Sequence, residues 1–175
     1  MIRSLKEEDI SLILSWYNWY IRNSEATFET EELSYDEFAE RVHMITKTYP
    51  WLILEEEGKP VGYAYLASFI PRAAYEWTCD LAIYLDPKER GKGYGHQLMN
   101  AAIETAEKAG YVNMVSIITK GNTASEKLHE AHGFEKMGEY DESGYKFGKW
   151  LGVTYYIRRL NAPAKNPQKP RSITI

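Results

Sequence analysis

The sequence predicts a mixed α/β fold, and three observations carry it. Short alternating apolar segments pair as a hairpin early in the chain. Apolar residues recur at helical spacing before and after that hairpin. At the centre, a strand, a glycine-rich loop, a helix and a second strand follow one another. Together the segments give a central, twisted mixed sheet of six to seven strands flanked by about four helices.

Each element has its own signal. Residues 2–5 start a strand, and Ser4 with Glu7 has capping-box spacing for the helix that follows. Ile10, Ile13, Leu14, Tyr17 and Ile21 form that helix's inner stripe. A second helix opens at Ser34, again with capping-box spacing to Glu37; Phe38, Val42 and Ile45 face inward, and Pro50 ends it. Residues 51–56 read as a strand, Glu57-Gly58-Lys59 as a turn, and 61–69 as the hairpin partner. After Pro71, residues 75–85 alternate as a long strand, which Asp86-Pro87 stops. A helix over 95–109 ends at Gly110; 114–118 is a short strand, and 122–131 a helix closed by Gly133. Two last strands, 134–140 and 149–160, flank a glycine-rich loop. The pattern is one domain over residues 1–160, followed by an extended or disordered tail, 161–175, holding Pro163, Pro167 and Pro170.

Composition excludes several function classes. The 175 residues are 44% hydrophobic and carry a net charge of -4, which argues against nucleic acid as a primary partner. No apolar run reaches the roughly 18 to 20 residues of a membrane span, and the acidic Glu7-Glu8-Asp9 stands where a signal peptide needs apolar residues. A single cysteine excludes an intramolecular disulfide framework and fits a reducing cytoplasm.

The loop Arg90-Gly91-Lys92-Gly93-Tyr94-Gly95 carries the first chemical signal. It lies where a strand ends and a helix begins, and helix N-termini expose unpaired N–H groups at a partial positive charge. Glycine lets backbone approach an anion closely, while Arg90 and Lys92 add cationic charge. The run satisfies neither G-x-G-x-x-G nor G-x-x-x-x-G-K-[ST], so dinucleotide and P-loop readings fit poorly.

With Ala26-Thr27-Phe28-Glu29, Arg72-Ala73-Ala74-Tyr75-Glu76-Trp77-Thr78, Leu128-His129-Glu130-Ala131-His132-Gly133-Phe134 and Gly144-Tyr145-Lys146-Phe147-Gly148-Lys149-Trp150, the loop makes the chain resemble the GNAT superfamily of N-acetyltransferases. Within it, the chain resembles the phosphinothricin or methionine sulfoximine acetyltransferase group over residues 1–160. That resemblance implies acetyl-CoA as co-substrate, without a metal, and a small-molecule amine as acceptor. It places the cofactor between strands 75–85 and 114–118: pantetheine on Ile83, Tyr84 and Leu85, pyrophosphate on Gly91, Lys92, Gly93, Tyr94, Gly95 and His96 beside Arg90, and Asn122 beyond. It also implies a homodimer, with Lys146 reaching a partner's site.

Acetyl transfer needs a deprotonated amine and a protonated leaving thiolate. The group has glutamate after its Trp-Thr pair; this chain has Asp80, one methylene shorter, which favours a water relay. Strand alternation gives Asp80 the same face as Glu76, a reserve carboxylate. His129 falls at the group's histidine and would serve the departing sulfur. His129 and His132 lack further metal-type ligands. Cys79 reads as a small core residue rather than a nucleophile. Arg72 suits a substrate carboxylate through a bidentate fork, with Tyr75, Phe28 and Glu29 beside it. A polyamine or peptide N-terminus is the alternative acceptor, and a CoA-binding sensor with little catalysis the alternative class.

Overall fold

The computed structural model describes residues 1–171. Seven strands form one sheet in the order β1-β2-β3-β4-β5-β7-β6: β1 Ile2–Ser4, β2 Trp51–Glu56, β3 Lys59–Ser68, β4 Thr78–Leu85, β5 Asn113–Thr119, β6 Glu135–Lys146 and β7 Lys149–Arg159. Only β4 and β5 are parallel; every other neighbouring pair is antiparallel. The helices are α1 Ile10–Asn23, α2 Tyr35–Thr46, α3 Tyr94–Ala109 and α4 Thr123–Ala131. Among the described residues, no helix is long and apolar enough to cross a membrane.

Strand alternation feeds two separate cores. Cys79, Leu81, Leu52, Leu54, Ala64 and Leu66 point toward Leu98, Met99, Ala102 and Ala106 of α3. Trp51, Ile53 and Tyr63 point the other way, onto Ile13, Leu14 and Tyr17 of α1 and Phe38 and Val42 of α2. The second core is largely aromatic. Tyr63 stacks on Trp51 at 5.6 Å and on Tyr84 at 5.4 Å, and Tyr17 and Tyr20 each meet Tyr84 edge-on at 5.3 Å. Offset and edge-on ring pairs of this kind add about 0.5–1.5 kcal/mol each beyond area burial.

The capping box at Ser34 forms as expected: Glu37 N–H donates to Ser34 Oγ at 3.3 Å, and Ser34 N–H donates to the Glu37 carboxylate at 2.8 Å. The earlier helix starts differently. A 3-10 turn, Glu7–Asp9, precedes α1, and Asp9 rather than Glu7 accepts the backbone bond, from Lys6 N–H at 2.8 Å. Arg3 makes this possible, since its guanidinium grips both Asp9 oxygens at 2.7 and 2.9 Å and leaves the carboxylate buried but paired.

Three further expectations change. The strand expected over 75–85 starts at Thr78, because residues 73–75 close a 3-10 turn in which Tyr75 N–H donates to the Arg72 carbonyl at 2.9 Å. Glu76 therefore lies outside the strand and pairs with Lys169 at 2.8 Å. The glycine-rich loop expected between 140 and 149 is mostly strand: β6 runs to Lys146 and turns at Phe147 (φ 53°) and Gly148 (φ 75°), the positive-φ pair of a two-residue hairpin. The described part of the tail lies on the domain. Asn161 Nδ2 donates to the Glu107 and Tyr111 carbonyls at 3.1 and 2.7 Å, Trp77 Nε1 to the Gln168 carbonyl at 2.9 Å, and Arg171 N–H to the Ala109 carbonyl at 2.8 Å. Polar side chains and free helix C-terminal carbonyls supply this docking, so it needs no apolar stripe.

The Ser34 box sets one stability prediction. Ser34→Ala removes both bonds of the hydroxyl, the one accepted from Glu37 N–H and the one donated to the Glu37 carboxylate at 2.6 Å, and costs about 1 kcal/mol, a fall in Tm of about 2–4 °C for a chain of this size by calorimetry.

Candidate active site

The site begins with a disagreement between two ladders. β4 holds β3 through seven residue pairs, and β5 holds β7 through seven. Between β4 and β5 only three pairs form, Thr78 with Asn113, Cys79 with Met114 and Asp80 with Val115. Beyond Asp80 the strands diverge. Asp86 N–H donates to the Val61 carbonyl at 2.9 Å, which fixes the parity of the β3–β4 ladder. Even-numbered residues of β4 bond β3, and the N–H and C=O groups of Leu81, Ile83 and Leu85 face the gap. Tyr84 thus spends its backbone on Tyr63, whereas Ile83 and Leu85 present theirs to the opening. Ser116 Oγ reaches the Leu81 carbonyl at 3.4 Å, and Tyr20 OH the Leu85 carbonyl at 2.9 Å.

The gap opens into a cavity of about 1040 Å³. Its walls bring together Asp80, Ile83, Tyr84, Leu85, Arg90, Gly91, Gly93, Gly95, His96, Asn122 and His129, residues marked in the sequence from four separate segments. Lys92 and Tyr94 are not on the walls, and Lys92 pairs with Glu89 at 2.6 Å. Arg72, Tyr75, Phe28 and Glu29 are also off the walls. Arg72 and Tyr75 are exposed in the turn before β4, with Tyr75 edge-on to Phe69 at 6.1 Å. Phe28 lies so close over Gly144 that a Cβ there would overlap its ring. Glu29 is held by Arg41 at 2.5 Å and by Tyr17 OH at 3.1 Å. Sequence reasoning missed Tyr20, Tyr65, the segment 23–26 and Phe147, all of which line the cavity. Tyr20 had a signal, seven residues after Ile13 on the same helical stripe.

At one end of the cavity, Gly93 caps α3 with φ 83°, a backbone region that side chains rarely adopt. It brings no side-chain oxygen to the first-turn N–H groups, so these stay available to an anion. Arg90 stands beside them, its guanidinium 5.1 Å over the Trp19 ring and its Nε bonded to the Pro87 carbonyl at 3.1 Å. Asn122 caps α4, its Oδ1 accepting from Ser125 N–H at 3.3 Å.

At the apex, Asp80 Oδ1 is buried with no hydrogen-bond partner among the described residues. Burial pushes its carboxyl up to about 7, against a smaller opposing effect from the Leu81 N–H. His129 is 5% exposed and lies edge-on to Phe134 at 4.9 Å. Its Nδ1 lies 2.8 Å from the Ser125 carbonyl, which can only accept; Nδ1 therefore carries a proton, and Nε2 is left buried without a partner. Burial lowers its pKa, so the ring is neutral near pH 7. Two orphaned polar atoms, two outward-facing backbone positions and an anion-ready helix start in one cleft fit a long ligand with a phosphate end and an amide-bearing arm. Among the described residues no group of three or more His, Cys, Asp or Glu side chains could hold a metal ion. Cys79 is fully buried with its Sγ–H toward the Asn113 carbonyl at 3.6 Å, and burial pushes its thiol well above the ordinary range.

Lys146 is not available to a neighbouring subunit. It is 3% exposed and donates to the Ser24 and Thr27 carbonyls of its own chain at 2.8 and 2.7 Å.

The buried Asp80 affects stability in a defined direction. Its folded pKa lies above its unfolded one, so the stabilisation is complete below the ordinary carboxylate range and is lost as pH rises through about 7. Asp80→Asn should melt above the parent at pH 8, with the gap closing by pH 4; a gap that is equal at both values would contradict a buried, ionising Asp80.

Comparison with known proteins agrees with this geometry. Residues 2–154 match the family described as the acetyltransferase (GNAT) domain. The chain is 31% identical to a phosphinothricin N-acetyltransferase of Streptomyces viridochromogenes, over 99% of this chain and 94% of that one. It is 33% identical to an L-methionine sulfoximine/L-methionine sulfone acetyltransferase of Pseudomonas aeruginosa, over 95% and 98%. A GNAT superfamily phosphinothricin acetyltransferase from Sinorhizobium meliloti, solved in complex with acetyl-CoA, superposes with a TM-score of 0.89 at 32% identity, covering 95% of this chain and 94% of that one. With its cleft between diverging parallel strands and its glycine-capped helix, the chain belongs to the GNAT acetyltransferase family.

Proposed function

We propose that this enzyme transfers the acetyl group of acetyl-CoA to the amino group of a small amino acid-like compound, directly, within a ternary complex. The observation that carries the reading is the partnerless, buried carboxylate oxygen of Asp80 at the apex of the β4–β5 cleft. The names of the similar proteins support the substrate class.

Acetyl-CoA supplies the thioester. Ile83 and Leu85 hold its amide-bearing arm in the manner of a missing strand, and the α3 start with Arg90 holds its phosphates. Asp80, with a pKa near 7, takes the proton from the incoming ammonium, directly or through one water. An outward-facing N–H of β4, at Leu85 or one of its neighbours Ile83 and Leu81, is the donor for the developing oxyanion. With its proton on Nδ1, His129 holds a water at Nε2; as the C–N bond forms and the C–S bond breaks, the second proton of the attacking amine passes through that water to the departing sulfur, and CoA leaves as the thiol. The buried, high-pKa Cys79 is unsuited to carry an acetyl group, which supports direct transfer. Arg72, exposed in the turn before β4, is the cation proposed for the substrate carboxylate, and Tyr75 shares that turn.

The reading extends to a cytoplasmic homodimer. The lone buried cysteine supports the location. The β6–β7 hairpin supports the assembly, because Tyr145, Phe147 and Trp150 are each more than half exposed there. Light scattering should give twice the chain mass.

Free-thiol release across phosphinothricin, methionine sulfoximine, amino acids, polyamines and short peptides tests the function. Turnover should favour the amino acid-like compounds, and kcat/KM should rise with pH through about 7. Asp80→Asn should lower it by about 10²- to 10⁴-fold and erase that rise. Arg72→Ala should raise KM for carboxylate-bearing amines and leave polyamines unaffected. Tight acetyl-CoA binding with no turnover on any amine would instead indicate a sensor.

A further inference from the structure

One wall of the cavity is a loop with no strand partner. Asn23 ends α1, and Asn23, Ser24, Glu25 and Ala26 line the cavity before the chain moves on to α2. This segment crosses the open side of the cleft. On one side, Tyr20 OH reaches the Leu85 carbonyl at the end of β4; on the other, Thr119 Oγ1 at the end of β5 donates to the Glu25 carbonyl. A bridging loop with free carbonyls would ordinarily be mobile, because nothing repays the entropy of ordering it.

Here the carbonyls are taken by a buried cation. Lys146 sits at the last position of β6, 3% exposed, and donates to the Ser24 and Thr27 carbonyls at 2.8 and 2.7 Å. Its ammonium also lies 4.8 Å from the centre of the Phe147 ring, which is itself on the cavity wall. Outside the pocket, Lys149 pairs with the Glu25 carboxylate at 2.6 Å. A hairpin-end lysine would normally extend into water. Burying an ammonium is costly unless its donors are satisfied, so this arrangement persists only because the loop carbonyls surround it. Burial lowers the Lys146 pKa, while Glu25 and Glu29 oppose that and favour the cation.

We propose that Lys146 is a positioning residue: its ammonium fixes the loop 24–27 as the acceptor wall of the cavity and thereby sets the affinity for the amine. The proposal rests on the reading in which the amine enters beside Asp80. The phosphate end is held independently, by Gly93 and Arg90, so loosening the loop leaves the cofactor's grip intact. The hairpin tip is thus mechanically tied to the acceptor wall, through a residue that touches neither substrate.

Lys146→Met keeps the length of the side chain and removes the ammonium. In steady-state assays on the best amine of the panel, it should raise the amine KM about tenfold, the equivalent of one lost loop anchor, while acetyl-CoA affinity by calorimetry stays within about twofold. Hydrogen exchange over residues 23–29 should quicken. Thr119→Val removes the neighbouring anchor on the same loop and should raise the amine KM in the same direction; the double variant should fall short of the product of the two effects. If Lys146→Met does not fold, Thr119→Val alone decides, because its single hydroxyl is lost without burying a charge. An unchanged amine KM, or an equal loss of amine and acetyl-CoA affinity, would overturn the proposal. Parent turnover that is abolished by Asp80→Asn keeps the functional reading intact in that event. A parent inactive on every amine would sink the functional reading, and the positioning role with it.

Discussion

The separation of β4 from β5 after Asp80 is the constraint on which the rest of the structure depends. Each strand is secured on its far side by a seven-pair ladder, so the three pairs between them can end without either strand losing its place. Cutting a parallel ladder short leaves N–H and C=O groups that an ordinary sheet would satisfy. Part of that demand is met inside the chain, by Ser116 on Leu81 and Tyr20 on Leu85. The remainder at Ile83 and Leu85 makes the edge of β4 a template for an extended, amide-bearing ligand.

The two faces of the split strand serve opposite purposes. Cys79 and Leu81 anchor it in the aliphatic core under α3. Tyr84, on the other face, joins the aromatic column that runs from Tyr17 and Tyr20 to Trp51. Asp80 shares the face of Tyr84 and lines the cleft, with no cation paired to it among the described residues. That surrounding raises its proton affinity and leaves Oδ1 without a partner, against a smaller opposing effect from the Leu81 N–H. The proton-accepting role proposed for Asp80 and its cost to stability at high pH arise from the same desolvation.

Much of this was legible in the sequence. The glycine loop, the strand before it and the helix after it follow from local rules, because strand termination, glycine at a left-handed cap and helical spacing act over a few residues. Asp80 and His129 came from the family pattern, and alternation correctly put Asp80 opposite Cys79. Less legible were features built from distant partners. Lys146 lies 122 residues from Ser24 and 119 from Thr27, and in sequence it is only a polar residue near a turn. The same holds for the tail, whose donors meet carbonyls at and just beyond the end of α3. The segment leaving the 73–75 turn imitated a strand because Tyr75-Glu76-Trp77-Thr78 alternates aromatic and polar residues by composition, not by pleat.

The sealed position of Cys79 bears on life in a thiol-producing cell compartment. Each catalytic cycle of an acetyl-CoA-dependent transfer liberates a thiol beside the strand that carries the chain's one cysteine. Exchange into a mixed disulfide requires an accessible thiolate at one end, and Cys79 has neither exposure nor thiolate character. The protein can therefore hand out sulfhydryl product indefinitely without becoming conjugated to it, and oxidative stress that cross-links the product finds no handle on the enzyme.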